Sequence, residues 1–365
     1  MKFSVDVKKL KNAISHSARL TGKHVSLPVL ESILIQVTKK EVIFRSTNLH
    51  IGMEVSVPAT VEEEGVVAIP GSTLLSLVNS LSGDGDVVFS TQHENILIVK
   101  GGSRALVKTV PHEDFPTLPK VEGGIFSIDT QILSNGISSV LYSAAVSDIK
   151  QELSSVYLYT EENELYFVAT DSFRLAEKKI KVNDLPDIDK IIIPLKSATE
   201  LTRIISELNG QVKVIFNKNQ ISFTSSGVYI TSRLIDSNFP DYKQILPKNK
   251  TTECIVLTQD ILNTLKATVA FSDKFNQITF HVKPDKKQFI IESKNSDVGE
   301  YNTDVPAIIE GKEIDINLNY RYFLDAFHSI TSDSVSIRFT EANKPILLAG
   351  VGQKDFLYLI MPLHR

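Results

Sequence analysis

Apolar and polar positions along the chain follow a pattern that returns. The segment Phe3-Ser4-Val5-Asp6-Val7-Lys8-Lys9-Leu10-Lys11-Asn12-Ala13-Ile14 begins in alternation and passes to apolar residues three or four apart. That change of period predicts a short strand entering a helix. The same pattern recurs 123 residues later, from Phe126 to Ile137, and a weaker third copy runs from Ile255 to Leu265. Further strands are predicted by alternation and β-branched content at 32–37, 87–90, 155–159, 212–216 and 277–282. Turns such as Ser82-Gly83-Asp84-Gly85-Asp86 and Leu208-Asn209-Gly210 separate a helix from the next strand.

Other landmarks keep the same spacing. Arg45-Ser46-Thr47-Asn48 is echoed by Val168-Ala169-Thr170-Asp171 and by Glu292-Ser293-Lys294-Asn295. A second helix start recurs as Ile69-Pro70-Gly71-Ser72, Ile193-Pro194-Leu195-Lys196 and Ile316-Asn317-Leu318-Asn319, with Pro placed in the first turn of the first two copies. Asp114-Phe115-Pro116 and Asn238-Phe239-Pro240 give two repeats the same extended exit. One third of 365 residues is too long for a solenoid repeat and suits an independent domain. The expected domains are therefore 1–122, 123–249 and 250–365, each running strand, helix, three strands, helix, then more strands. Helices on one face of mostly antiparallel sheet make the fold class α+β.

Composition narrows the function. With 42% hydrophobic and 22% charged residues the chain reads as an ordinary globular protein. Its single Cys254 excludes an intrachain disulfide and is expected to be a buried structural residue. No apolar run approaches the ~18 residues of a membrane helix, so a cytoplasmic location and no membrane partner are expected. No metal-ligand spacing, phosphate loop or nucleophile elbow is present, so neither cofactor, metal nor catalytic residue is expected. Thr170-Asp171 resembles a catalytic pair, but its recurrence in degenerate form favours a turn.

The formal charge is −4, with 39 basic and 43 acidic residues, so nucleic-acid binding requires segregated charge. Lys8, Lys9, Lys11 and Arg19 lie on the first helix without an acid between Val7 and Leu20, followed by Lys23 and His24. Lys196, Arg203, Lys266 and Arg321 occupy helices of the later repeats. Each alone suits a solvated helix face. Repetition favours a shared role.

Three repeats, Ala169-Thr170-Asp171-Ser172-Phe173-Arg174-Leu175-Ala176, Asn238-Phe239-Pro240-Asp241-Tyr242 and the ending Tyr358-Leu359-Ile360-Met361-Pro362-Leu363 together resemble the bacterial sliding clamps, the beta subunits of DNA polymerase III. Leu27-Pro28-Val29-Leu30 fits as well, and the resemblance covers the whole chain. It implies a non-catalytic processivity factor: a head-to-tail homodimer whose six clamp domains close a ring around double-stranded DNA. The implied partners are the replicative polymerase catalytic subunit, the clamp loader, and other polymerases and repair proteins carrying a clamp-binding motif.

The resemblance also implies sites. DNA contact falls to Lys8, Lys9, Lys11, Lys23, His24, Lys150, Gln151, Lys196 and Arg203. A groove for peptides of the Gln-Leu-x-Leu-Phe type falls to Leu153, Thr170, Ser172, Phe173, Arg174, Leu175, Pro240, Gln244, Ile245, Asn343, Met361, Pro362 and Leu363, with Arg174 closing over the peptide or binding its carbonyls. Dimer contacts fall to Arg104, Leu106 and Lys108 facing Phe271 and Glu300, with Glu292 and Asp297 as further acids. Three departures stand out: His24 where the family has Arg, Ser172 where it has Gly, and the ending His364-Arg365. Readings of another class are a peptide-binding scaffold that no longer encircles DNA and, far behind, a hydrolase with a dispersed acid/base pair.

Overall fold

In the computed structural model, residues 1–22, 27–182, 185–247 and 249–363 are described. Lys23 and His24, and the ending His364-Arg365, lie outside them. The chain packs as two compact units, Met1–Ser134 with Glu200–Leu234, and Asn135–Thr199 with Ile235–Arg365.

Each predicted strand-to-helix entry is present. Strand Lys2–Asp6 leads into helix α1 (Val7–Ala18), and Gly65–Pro70 into α2 (Gly71–Ser80). Gly124–Asp129 leads into α3 (Thr130–Leu141), and Ile191–Pro194 into α4 (Leu195–Ser206). Thr252–Leu257 leads into α5 (Thr258–Val269), and Ile314–Asn319 into α6 (Tyr320–Asp325). The five strands predicted from alternation all form, each extended at one or both ends or matched as it stands. Between paired helices lie four or five strands rather than three, because short edge strands such as Thr60–Glu63 lack an apolar face to mark them.

Caps explain where the helices start. Asp6 accepts hydrogen bonds from the amides of Lys8 and Lys9 at 3.0 and 3.1 Å, and Asp129 repeats this toward Gln131 and Ile132. The third copy has Leu257 in that place and no capping side chain. The second helices begin after Pro70, Pro194 and Asn319, so Pro precedes the helix instead of occupying its first turn. The third echo is thus Leu318-Asn319-Tyr320, two residues beyond the sequence-based alignment. There Asn319 replaces the fixed Pro dihedral with a side-chain cap on the Arg321 amide at 2.9 Å.

Unit one holds two antiparallel sheets. The five-stranded sheet runs from Thr60–Glu63 through Lys2–Asp6 to Ser103–Lys108 at its other edge. In the eight-stranded sheet, Val228–Arg233 pairs with Ile51–Pro58, placing Thr231 opposite Gly52. Leu10, Ala13 and Ile14 of α1 are buried where that helix meets α2 and the strands Glu41–Thr47 and Ile51–Pro58. Unit two has a nine-stranded and a four-stranded antiparallel sheet; its central seam is Arg174–Lys181 paired with Phe356–Ile360. Helix α5 packs on α6 and on the strands Thr252–Leu257 and Gln288–Asn295. Cys254 is buried, and burial pushes its thiol up to about 12, which leaves it inert as a nucleophile.

The two Phe-Pro exits pack on the eight-stranded and the nine-stranded sheet. Phe115 packs with Leu34, Val29 and Ala68. Phe239 stacks on Tyr157, 123 residues beyond Leu34, with ring centroids 4.7 Å apart.

Asp6→Ala is expected to lower unfolding stability by about 1 kcal/mol through loss of its cap, and Leu257→Asp to gain a similar amount by supplying one. Urea unfolding of both variants checks the pair.

Candidate functional sites

The Thr170–Arg174 turn is built from its own side chains. Thr170 Oγ1 accepts the Ser172 amide at 3.2 Å and donates to the Arg174 carbonyl at 2.6 Å, while Asp171 Oδ1 accepts the amides of Phe173 and Arg174, both at 2.9 Å. The first repeat makes the same turn: Thr47 serves Leu49 and Ile51, and Asn48 accepts from His50 and Ile51. A side chain that satisfies two successive amides is a local turn device, so Thr170-Asp171 does structural work rather than catalysis. Ser172 has φ +78° and Leu49 has φ +72°, the left-handed backbone that Gly adopts without strain.

The turn delivers its neighbours to the seam. Arg174 lies opposite Ile360 and Leu175 opposite Leu359, and the Met361 amide continues the ladder to the Phe173 carbonyl at 2.8 Å. Leu175 and Leu359 are buried with Tyr242, Tyr159, Tyr166, Val168 and Leu347. Above them runs Asn238–Leu246, where Pro240, Gln244 and Ile245 are exposed around the short turn Tyr242–Ile245. Phe173 is 59% exposed at the end of the seam, beside half-buried Met361. The sequence-predicted residues Thr170, Ser172, Phe173, Arg174, Leu175, Pro240, Gln244, Ile245 and Met361 thus share one region. Pro362 is buried, and the Leu363 amide bonds the Asn317 carbonyl at 2.8 Å, so the tail runs on toward Ile314–Asn319. Leu153 is buried after the exposed loop 146–151, and Asn343 is exposed between Ser334–Phe339 and Ile346–Gly350; neither stands on the strands of the seam.

Arg174 is already engaged. Its guanidinium bonds Asp171 at 3.0 Å, makes a second ion pair with Asp325, and lies 4.6 Å over the Tyr322 ring. Two carboxylates and an aromatic face hold it in a planar slot, a task suited to Arg rather than Lys. Sequence reasoning passed over Asp325 and Tyr322 on α6. It also passed over Leu359 and Leu347; the alternation Leu357, Leu359, Met361 was the available signal for the first.

Three of the predicted cations are accessible and paired. Lys8 meets Asp84 at 2.8 Å, Lys196 meets Asp148 at 2.7 Å and Arg203 meets Glu200 at 2.9 Å, all as surface pairs. Such pairs are worth ~0–1 kcal/mol, so a phosphate can replace the carboxylate at little cost. Lys9, Lys150 and Gln151 are exposed, and Lys11 is half-buried.

Two exposed edge strands carry opposite charge. On Ser103–Lys108, Arg104, Leu106 and Lys108 point outward, Leu106 being 59% exposed. Leu77, Leu81, Ile98 and Ala105 line a cavity of about 510 Å³ beside it. On Gly299–Asp304 the exposed residues are Gly299, Glu300, Asn302 and Asp304. Phe271 stacks on Tyr301 of that strand, centroids 5.7 Å apart, and Lys294 bridges Glu292 and Glu300. Phe275, 62% exposed nearby in sequence, was not anticipated.

Comparison with known proteins decides the family. Profiles of the N-terminal, central and C-terminal domains of the DNA polymerase III beta subunit match residues 1–119, 127–241 and 243–364. The chain belongs to the DNA polymerase III beta subunit family. It is 27% identical to the beta sliding clamp of Buchnera aphidicola over the full length of both, and 26% identical to that of Staphylococcus aureus over all of this chain and 99% of the other. Among solved structures, the Pseudomonas aeruginosa sliding clamp bound to griselimycin aligns over the whole of both chains with TM-score 0.95 and 25% identity. The Bacillus subtilis sliding clamp gives 0.94 at 26% identity, over all of this chain and 99% of that one. The fold is therefore that of three clamp domains. As a clamp subunit the chain is non-catalytic, which agrees with the turn role of Thr170-Asp171.

Arg174→Ala is expected to cost roughly 2 to 4 kcal/mol, because it strands Asp171 and the one-third-exposed Asp325 without a cation. Chemical denaturation measures this; a cost below about 1 kcal/mol would mean that water compensates both carboxylates.

Proposed function

We propose that two copies of this chain join head to tail into a six-domain ring around duplex DNA, and that each copy tethers partner proteins through the Leu175–Leu359 groove. The clamp domains are assigned to 1–122, 123–249 and 250–365. The observation that carries this reading is the pairing of opposite needs within one chain: a basic edge strand, an acidic edge strand, and an apolar seam with exposed anchors.

Edge strands expose unpaired backbone groups, and a second copy satisfies them by strand addition. Arg104 and Lys108 then face Glu300, Leu106 adds apolar contact, and Phe271 fills the cavity beside Leu77 and Leu81. Because the contact is heterologous, it must close on itself to avoid filaments, which two copies achieve.

DNA contact is assigned to Lys8, Lys9, Lys11, Lys150, Gln151, Lys196 and Arg203, with Lys23 and His24 adjoining. These groups neutralise phosphates without reading bases. Retention is topological, so the −4 net charge is no obstacle. The groove offers Leu175, Leu359 and Met361 to leucine and phenylalanine anchors, with Phe173, Pro240, Gln244 and Ile245 as its rim. Arg174, held by two carboxylates, shapes the groove rather than closing over the peptide. The occupants are the polymerase catalytic subunit, the clamp loader and repair proteins with the clamp-binding motif. Tethering turns a weak contact into a durable one by raising effective concentration, and it requires no cofactor. The setting is the cytoplasm; among the described residues no helix is long and apolar enough to cross a membrane.

Light scattering should give about twice 40.5 kDa, and with a loader the protein should stay on nicked circular DNA and slide off linear ends. A monomer, or equal retention on both DNA forms, would favour a peptide-binding scaffold. Phe271→Ala should weaken the dimer about tenfold or more through lost apolar burial, read by mass photometry at nanomolar concentration.

A further inference from the structure

The segment over the groove is fastened by a buried chain of hydroxyls. Tyr242, 4% exposed, donates to the Glu177 carboxylate, and its oxygen lies 2.7 Å from that of Tyr159. Burial, then the adjacent Glu177, drive the Tyr242 phenol far above its ordinary range, so it remains a donor. Glu177 is itself pushed up by burial, against the pull of Tyr242, Lys243 and Lys179. Lys243 secures the same turn from outside, bonding Glu161 at 2.5 Å and lying 5.2 Å over the Tyr159 ring.

The fold does not require this chain. In unit one the corresponding seam pairs Gly52 with Thr231, and the Arg233 amide bonds the His50 carbonyl at 2.9 Å, as Met361 bonds Phe173 in unit two. Leu118, 124 residues before Tyr242, covers that seam; a Cβ on Gly52 would lie 2.3 Å from its Cδ2. An aliphatic side chain therefore covers one seam and two buried phenols the other, while a half-buried carboxylate, Glu54 or Glu177, stands beside each. A partly buried carboxylate needs a partner. Glu54 finds it in Arg45 on the neighbouring strand, whereas Val168 stands opposite Glu177 and the partner comes from the covering segment itself, as the Tyr242 hydroxyl. The segment it fastens is the one that carries Pro240, Gln244 and Ile245.

We propose that Tyr242 is a positioning residue for the peptide groove, its hydroxyl fixing the Pro240–Ile245 rim over Leu175 and Leu359 through Glu177 and Tyr159. The proposal rests on the groove assignment above and deepens it. Tyr242→Phe keeps the ring in its apolar setting and removes only the hydroxyl.

The test is fluorescence anisotropy with a labelled Gln-Leu-Ser-Leu-Phe pentapeptide on the full-length protein. Tyr242→Phe should raise Kd about tenfold, with dimer mass unchanged. In Tyr242→Phe/Glu177→Leu, which also removes the stranded carboxylate, the melting temperature should recover while Kd stays raised. A role confined to stability would restore both together, and that result overturns the proposal, as does a Kd for Tyr242→Phe within about twofold of wild type. Should Tyr242→Phe fail to fold, Tyr159→Phe takes its place, with an expected rise of about threefold, and no rise refutes the proposal. Failure of the wild-type protein itself to bind the peptide would instead bring down the groove assignment, and this proposal with it.

Discussion

Unit two is organised around one antiparallel seam, in which Arg174 and Leu175 face Ile360 and Leu359. The ladder satisfies the backbone of two strands far apart in sequence, and its period of two sends Leu175 and Leu359 to the same side. Helices do not cover that side. The cover comes from Asn238–Leu246, whose Phe239 and Tyr242 face the sheet while Pro240 and Ile245 remain exposed. An apolar floor with a partly open rim is the usual physical form of a peptide site, and here it follows from how a two-faced sheet is closed.

Matching seams in the two units show how one backbone plan supports different chemistry. The Thr-Asn and Thr-Asp turns are alike down to the amides they serve, and both enter the left-handed region at the next residue. What differs is the side chains that the ladder presents: Gly52, Thr231 and Arg233 in the first, Leu175, Leu359 and Met361 in the second. Repetition thus conserves hydrogen bonding, which depends on backbone and turn residues. The strand faces, which the backbone does not constrain, have diverged.

Charge follows a similar division. The net charge of −4 conceals cations that sit on helices and loops beside single acids. Exposed pairs of this kind hold little energy, so they keep the surface soluble without preventing a phosphate from taking a carboxylate's place. At the edge strands, by contrast, like charges collect on each strand, and complementarity arises only between different strands.

The sequence by itself determined the repeat, the strand-to-helix entries and the turn at Thr170-Asp171. All of these depend on residues within a few positions of one another, where hydrophobic period, capping carboxylates and turn side chains act. It also pointed to Phe239-Pro240-Asp241-Tyr242 and Met361-Pro362-Leu363 as segments worth noting, and alternation back from Met361 could have added Leu359. Tertiary structure alone decided that Leu175 lies opposite Leu359, that Asp325 and Tyr322 hold Arg174, and that Tyr242 reaches Glu177 and Tyr159. It also placed the third repeat's second helix start at Tyr320, where an Asn cap does the work done elsewhere by Pro. These pairings join residues separated by scores of positions, and no local period encodes which strand edge will find which partner.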